Sequence, residues 1–579
     1  MRRRHLLPLI VFAACCIALR AAAQVAPADD LAAIRTRLTQ IESRLHKAQA
    51  LRDIKRLQYS YAHYAESGLW LDLGDLFAAN GVAHYAQGDY RGPESLRKFY
   101  LQELGRGQLG LAEGRIYPHI MIQPVVTVAD DGKSAKGRWH VIAMLGSYGA
   151  SASWAGVAYE NKYVFEDGVW KIGELSYSSQ YSGRYNPPGV AVSKWDLPFH
   201  FTPQSAGTPV TNSASSVPAN APPDSASFEK LQQRWADLVR GTQQLRDEAD
   251  VLNLQHDYGY YFDQKMWEAA ANLFSTDGTL ELGQRGVYVG RGRIRQALNV
   301  IGGKRLEDDE VYDHLQLATV VHIAPDGRTA KARGIELSVS GVKGKKALWE
   351  EGIFENDYVR QSGAWKIRSV HYYPRVITAY ELGWAKDAKP AAGPSTEFPP
   401  DRPPTEAYGI YPKMYYPQFH YANPVTGLPV QYPAGITAAA SKQSSSNLAT
   451  LPAAPKNVKE FAAQLTELER QLQASIAFDA AENLVNALGY NLDDSSLGDS
   501  PAIHQTVQPV IHVAPDGQSA TIQARLLKIG GKSGELSGGK YEGRVIFTDG
   551  SWKVQTLNLR PAWSSPFTTW TPEIERRRK

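Results

Sequence analysis

The sequence predicts an α+β protein of tandem units, each a long leading helix followed by antiparallel strands. Three observations predict it. A strand–turn–strand segment occurs three times, as "PHIMIQPVVTVADDGKSAKGRWH" (118–140), "DHLQLATVVHIAPDGRTAKARGI" (313–335) and "IHQTVQPVIHVAPDGQSATIQAR" (503–525). A second hairpin follows each one, in "YENKYVFEDGVWKI" (159–172), "FENDYVRQSGAWKI" (354–367) and "YEGRVIFTDGSWKV" (541–554). Each unit also opens on a stretch with apolar residues at helical spacing.

The chain begins with a segment that reads as a signal peptide over 1–23. Arg2–Arg4 form its basic start, Leu6–Leu19 its apolar stretch and Ala21–Ala23 its cleavage site. The predicted localisation is therefore exported, periplasmic or secreted, with a lipoprotein anchored at Cys15 as the alternative. No later run is long and apolar enough to span a membrane. Both cysteines, Cys15 and Cys16, lie in this segment, so the exported chain has no disulfide and no thiol chemistry. Cleavage after Ala23 removes four arginines and takes the formal charge from +4 to zero. No basic stripe with interleaved aromatics is present, which argues for a small-molecule partner and against nucleic acid.

The leading helices come next. Leu31, Ile34, Leu38, Ile41 and Leu45 follow a 3-4-3-4 spacing, as do Val458, Phe461, Leu465, Leu468 and Leu472. In the second unit Phe228, Leu231, Trp235 and Leu238 follow it until Thr242 interrupts. Such a seam packs on the other leading helices, on a partner chain as a homo-oligomer, or on its own sheet. Each helix runs into an aromatic stretch ending in an acid, aligned without gaps at Glu66, Asp263 and Asp493. The strands then turn at Asp131-Gly132, Asp326-Gly327 and Asp516-Gly517, which are hairpin dipeptides. Unit three passes from Asp493 to His504 in far fewer residues than separate Glu66 from His119, so it lacks the second helix and first strands. The divisions are unit one over 28–203, a linker over 204–227, unit two over 228–386, a Pro-rich linker over 387–455, a truncated unit three over 456–570 and a basic tail over 571–579. The aromatic-proline tails "WDLPFHFTP" and "YYPQFHYANP" are expected to pack across a neighbouring unit.

Long helix, short helix and long strands ending in "GxWKI" resemble the SnoaL-like branch of the nuclear transport factor 2-like superfamily. The motif Tyr61-Ala62-x-x-x-Glu66-x-x-x-Trp70-x-x-Leu73-x-x-Leu76-Phe77 carries the resemblance. It implies two complete NTF2-like cones and one truncated one, each a curved antiparallel sheet wrapped on helices around an apolar pocket. Unit one is similar to the scytalone dehydratase family at specific positions. The resemblance implies catalytic roles for Glu66, His119, His140 and Tyr85. Here the family aspartate is Glu66, and the tyrosine beside it is Ala65; Tyr61 or Tyr64 from neighbouring turns would substitute.

The matching positions read Asp263, Leu282, His314 and Ile335 in unit two, and Asp493, nothing, His504 and Arg525 in unit three. The full set survives only in unit one. Tyr61, Tyr64, Trp139, Asp263 and His314 are the expected substrate-binding residues, and Trp70, Trp154 and Tyr159 further aromatic walls. A carboxylate paired with an imidazole removes a proton beside a carbonyl, and a second histidine or a tyrosine protonates the leaving hydroxyl. The expected activity is a cofactor-independent lyase or isomerase of the dehydratase kind, acting on a small aromatic or polyketide-like molecule. The alternative is a non-catalytic small-molecule-binding or scaffold protein. No metal is expected, because no H-x-H or H-E-x-x-H spacing joins the histidines. "VGRGRI" (289–294) lacks the strand-then-helix context of a nucleotide loop.

Overall fold

Apolar residues at helical spacing make three long helices, Leu31–Ser67, Phe228–Asp263 and Val458–Ser495. They are seen in a computed structural model that describes residues 31–185, 191–192, 197–206, 227–436, 450–495, 502–530, 535–566 and 569–574. The proposed signal peptide and most of the 204–227 linker lie outside the described residues. The second and third begin on side-chain caps. Ser227 accepts from the Lys230 amide, and Asn457 from the Glu460 amide. The first ends at Gly68, φ +67°, where a Cβ would lie 2.7 Å from the Gly110 carbonyl carbon, so only glycine fits.

Each leading helix feeds a sheet. The first sheet runs Gly88–Arg91, Phe77–Tyr85, Val169–Arg184, Ser151–Glu166 and Ser134–Ser147, and the last of these also pairs with His119–Val128. The second runs Val287–Val289, Phe274–Leu282, Ala364–Ala379, Ala347–Gln361, Thr329–Val342 and Glu310–Ile323. In both, the first long strand pairs parallel with the last while the rest are antiparallel. The third sheet has five strands and starts at Ala502, directly after its helix, without the short helix and first strands of the others. The second-hairpin turns have the two left-handed residues of a tight hairpin at Asp167-Gly168, Ser362-Gly363 and Asp549-Gly550.

The three units close on one another as a ring. The seams expected of the leading helices meet in one core: Leu38 and Leu45, Leu231 and Trp235, and Leu465 and Leu472 are buried together. The surface that would have joined separate chains is thus used within one chain. At the point where Thr242 breaks the second seam, Gly241 lies against Leu45, and a Cβ there would approach it to 2.7 Å. The break admits the neighbouring helix. Two turns further, Arg52 and Lys55 meet Asp479 and Glu482 of the third helix, and Arg56 meets Glu248 of the second. Buried pairs of this kind fix helix register.

The sheets supply the other half of the ring. Strand alternation sends Met121, Trp139 and Val141 into the cone of unit one and Ile120, Ile122, Ile142 and Met144 to its outer face. That outer face packs with Leu315, Leu337 and Trp349 of unit two and Val507, Leu527 and Trp563 of unit three in a single core. Each strand carries a bulge at the ring centre, with a left-handed residue at Gln123, Ala318 or Gln508. Gln123 accepts from the Thr506 amide of unit three, Gln508 from the Gln316 amide of unit two, and the Ala318 carbonyl from His63 of unit one.

The Pro-rich stretch read as a linker is, over 387–436, a packed strap. Its aromatics dock on unit one: Phe419 on Tyr64, and the Tyr416 hydroxyl on the Leu111 amide. Arg333 lies 3.7 Å over Phe419 and pairs with Glu355, which His420 also binds. Arg138, Phe199, Glu160 and His200 repeat this lock for the tail of unit one. The tails pack across neighbours, as Phe419 on unit one and Phe199 against Tyr490 of unit three.

Candidate active site

The sequence placed Glu66, His119, His140 and Tyr85 in one pocket of unit one. The structure brings His119, Tyr85 and Tyr61 into the cone and places Glu66 and His140 elsewhere. His119 lies one residue before Ile120, on the inward side of its strand. Its Nε2 is 3.1 Å from the Tyr159 hydroxyl, and Tyr117 stacks parallel to its ring. Tyr61, Tyr85 and Tyr100 form a chain of hydroxyls at 3.2 and 3.0 Å. His119 is buried at 7% exposure, and Tyr85, Tyr117 and Tyr177 beside it are only half-buried although they face inward. Burial pulls His119 down to about 4, opposed by the charge of Glu66. Burial also raises Tyr61, Tyr85, Tyr100 and Tyr159 well above the ordinary range. At neutral pH the cone therefore holds an unprotonated imidazole among proton-bearing hydroxyls.

His140 faces the ring interface, because residues 138, 140 and 142 alternate to the outer side of the sheet. Its Nδ1 donates to Gln123 and its Nε2 accepts from the Gln180 amide, which defines a neutral tautomer. Burial and Arg138 hold it well below the usual histidine range. Across the interface, Asp493 of unit three is 3.7 Å from its Nε2.

Glu66 is fully buried at the same kind of junction. It meets His63 at 3.0 Å, one helical turn back, and Arg375 of unit two at 3.2 Å. Asp263 is likewise no wall of a pocket: it accepts the His314 amide at 2.7 Å and pairs with Arg525 of unit three. Asp493 accepts the His504 amide at 2.5 Å. The recurrent acid thus pairs with a cation of the next unit from one to two and from two to three, while Asp493 of unit three lies at the same kind of junction beside neutral His140 of unit one. Arg525 and His140 hold equivalent strand positions. Unit two has apolar Ile335 there, and Arg375 from the last strand supplies the cation. Glu66 is longer than aspartate, which suits its reach to Arg375.

The remaining expected residues divide. Trp139 donates to Tyr163 at 2.8 Å, and Tyr163 to Gln58, a latch of helix to sheet that unit two repeats with Tyr358 and Gln255. Tyr64 packs under the strap, and Trp154 in the core between units. His314 faces the cone of unit two. Sequence reading passed over His63, though its i,i+3 spacing to Glu66 was visible, and over Tyr100, Tyr117 and Arg375, which carry no local signal.

Arg375 is shared by two buried acids, Glu66 and Glu351. One cation satisfies one charge. Burial pushes Glu66 up, but Arg375 and His63 bring it below its ordinary value. Burial and the charge of Glu66 outweigh Arg375 at Glu351 and raise it from 4.5 to about 7. The folded state then binds the proton more tightly than the unfolded chain. Its stabilising effect is complete below about 4.5 and is lost as pH rises through about 7. Urea midpoints should fall between pH 5 and 8, and Glu351→Gln should remove the part of that slope centred near 7. An unchanged slope in the variant would contradict this assignment.

Among the described residues no group of three or more metal-ligating side chains is placed to hold an ion, and no helix is long and apolar enough to cross a membrane.

In each complete unit helices pack against a mixed sheet, with a histidine and tyrosines turned to its inner side. A SnoaL-like domain model matches residues 46–176, 243–371 and 477–558, more than half the chain, and the chain belongs to that family. Solved structures similar to it include a protein from Novosphingobium aromaticivorans put forward as a scytalone dehydratase (19% identity, TM-score 0.22, 27% of this chain and 96% of that one). They also include a type 2 hexachlorocyclohexane dehydrochlorinase, LinA (16% identity, TM-score 0.22, 26% and 98%), and ActVI-ORFA from Streptomyces coelicolor (19% identity, TM-score 0.20, 22% and 95%). Comparison with curated proteins finds no match.

Proposed function

We propose that the chain is an exported, cofactor-independent lyase or isomerase whose unit-one cone acts on a small aromatic or polyketide-like molecule. The observation that carries this reading is the neutral His119 among the hydroxyls of Tyr61, Tyr85, Tyr100 and Tyr159. His119 takes the proton from a carbon beside a carbonyl. The electron pair moves onto the carbonyl oxygen, where a tyrosine hydroxyl donates to it. Return of the pair expels a hydroxide from the adjacent carbon, which a tyrosine proton converts to water. His140 has no part in this scheme, and Glu66 acts on His119 only through its charge. The unit-one proposal extends over 28–203, with export resting on the basic, apolar and small-residue pattern of 1–23.

Glu66 is fully engaged by His63 and Arg375, which favours a second reading in which the cones bind small molecules without turning them over. One experiment separates the two. Purified full-length protein is offered hydroxylated cyclic ketones, with and without EDTA, and the absorbance of a newly conjugated double bond is followed. The lyase reading expects turnover in both conditions. Saturable binding with no product supports the second reading instead.

A further inference from the structure

The cone of unit two repeats the histidine and tyrosines of unit one but has lost their internal partners. Tyr159, which binds His119, is replaced at the matching position by Phe354, and Tyr85, which binds Tyr61, by Leu282. Two buried polar atoms are left without a hydrogen-bond partner, Nε2 of His314 and the hydroxyl of Tyr258, while the Tyr372 hydroxyl is held by Glu350. A buried polar group without a partner is unfavourable, so these atoms are available to a ligand.

What has been added is a pair of carboxylates absent from unit one. Glu336 stands at the position of Val141 and Glu350 on the adjacent strand, both on the inward side, since their neighbours Ile335, Leu337 and Trp349 lie in the core between units. His314 Nδ1 donates to Glu336 at 2.8 Å. The other oxygen of Glu336 accepts from Gln316 at 2.6 Å, and Gln316 is itself held by Gln255. The amide of His314 is fixed by Asp263. Backbone and ring are thus both pinned, and a proton on Nδ1 leaves the lone pair of Nε2 facing the cone. Phe262 and Tyr312 wall the ring at 4.8 and 4.4 Å between centroids. His314 and Glu336 retain 11% and 12% side-chain exposure. Glu350 interacts with Tyr372 and His314, and burial raises it above the ordinary carboxylate range.

We propose that the cone of unit two is a second acid–base site, in which His314, oriented by Glu336, removes a proton from the carbon beside the carbonyl of a small neutral ketone. The proton passes to Nε2. The C–H pair becomes a carbon–carbon double bond, and the carbonyl pair moves to oxygen as an enolate. The hydroxyl of Tyr372, held beside Glu350, donates to that oxygen. Return of the proton to the same carbon gives exchange, and to a conjugated carbon gives a shift of the double bond; neither needs a co-reactant. Two carboxyl groups in the cone disfavour anionic substrates, which separates this site from one that binds carboxylates or phosphates. The proposal does not depend on turnover in unit one.

The test follows α-proton exchange of cyclohexanone in D2O by NMR with the full-length protein. His119→Asn silences unit one, and in that background exchange should remain above buffer. Adding His314→Asn should reduce it at least ~100-fold, to the buffer rate, with the near-ultraviolet circular dichroism unchanged. Glu336→Gln should lower the rate and shift its pH dependence. Should the double variant misfold, His119→Asn with Glu350→Ala, read the same way, takes its place. Buffer-level exchange in His119→Asn alone, or exchange that survives His314→Asn, overturns the assignment. The first of those outcomes leaves the unit-one reading standing, because that reading is scored on elimination by the parent protein.

Discussion

His119→Asn is expected to lower unit-one turnover by ~10²–10⁴-fold, the usual contribution of a positioned general base. Thermal stability should barely move. Asparagine keeps a polar group near the Tyr159 hydroxyl, and the neighbours Ile120 and Met121 hold the strand on its two faces. The pH profile gives an independent reading. Burial holds His119 near 4, so it is unprotonated over the whole neutral range. Turnover in the parent should be flat from about pH 6 to 9 and fall on the acid side with a midpoint near 4, provided the fold survives there. Tyr159→Phe should raise that midpoint or leave it while keeping much of the rate. A midpoint near 6.5 or above would mean that another group is the base. His140→Asn should leave turnover nearly intact, since its ring faces unit three.

Arg375→Met should be among the most damaging single changes to stability, costing about 3–5 kcal/mol. It strands Glu66 and Glu351, both fully buried, without their shared cation. His63 remains beside Glu66, but burial lowers its pKa and weakens it as a replacement charge. The loss should shrink at low pH, where both carboxyls take up protons. Glu351→Gln in the Arg375→Met background should recover part of the stability, because one of the two stranded acids is then neutral. Urea denaturation of the three proteins at pH 5 and pH 8 checks this. Equal losses at both pH values, or no recovery in the double variant, would show that packing of the arginine stem and not its charge sets the cost.

The repeats made the fold legible. Three aligned hairpins, three aligned acids and three apolar seams follow from local spacing, and spacing is what a single sequence displays. The missing helix and strands of unit three were legible for the same reason. The site was legible only in part. His119, Tyr61 and Tyr85 lie on elements whose inward face the apolar pattern defines. His140 was misplaced because "GRWHVIAM" is apolar on both faces: one side fills the cone and the other fills the core between units. A strand buried on both sides gives no alternation to read. Glu66 was misassigned for a related reason. Its partner Arg375 comes from another unit, and nothing in the sequence announces a contact between distant strands.

The ring also bears on how the copies diverged. In an assembly of three identical chains every substitution appears three times, and a deletion that empties one cone empties all. Here the copies are joined end to end, so each can mutate alone. Unit three lacks the short helix and first strands of the others but keeps the parts its neighbours pack on: the leading helix, with Leu465 and Leu472, and the outer face, with Val507, Leu527 and Trp563. Units one and two, relieved of any need to match, furnish their interiors differently: both keep tyrosines, and unit two adds the carboxylates of Glu336 and Glu350.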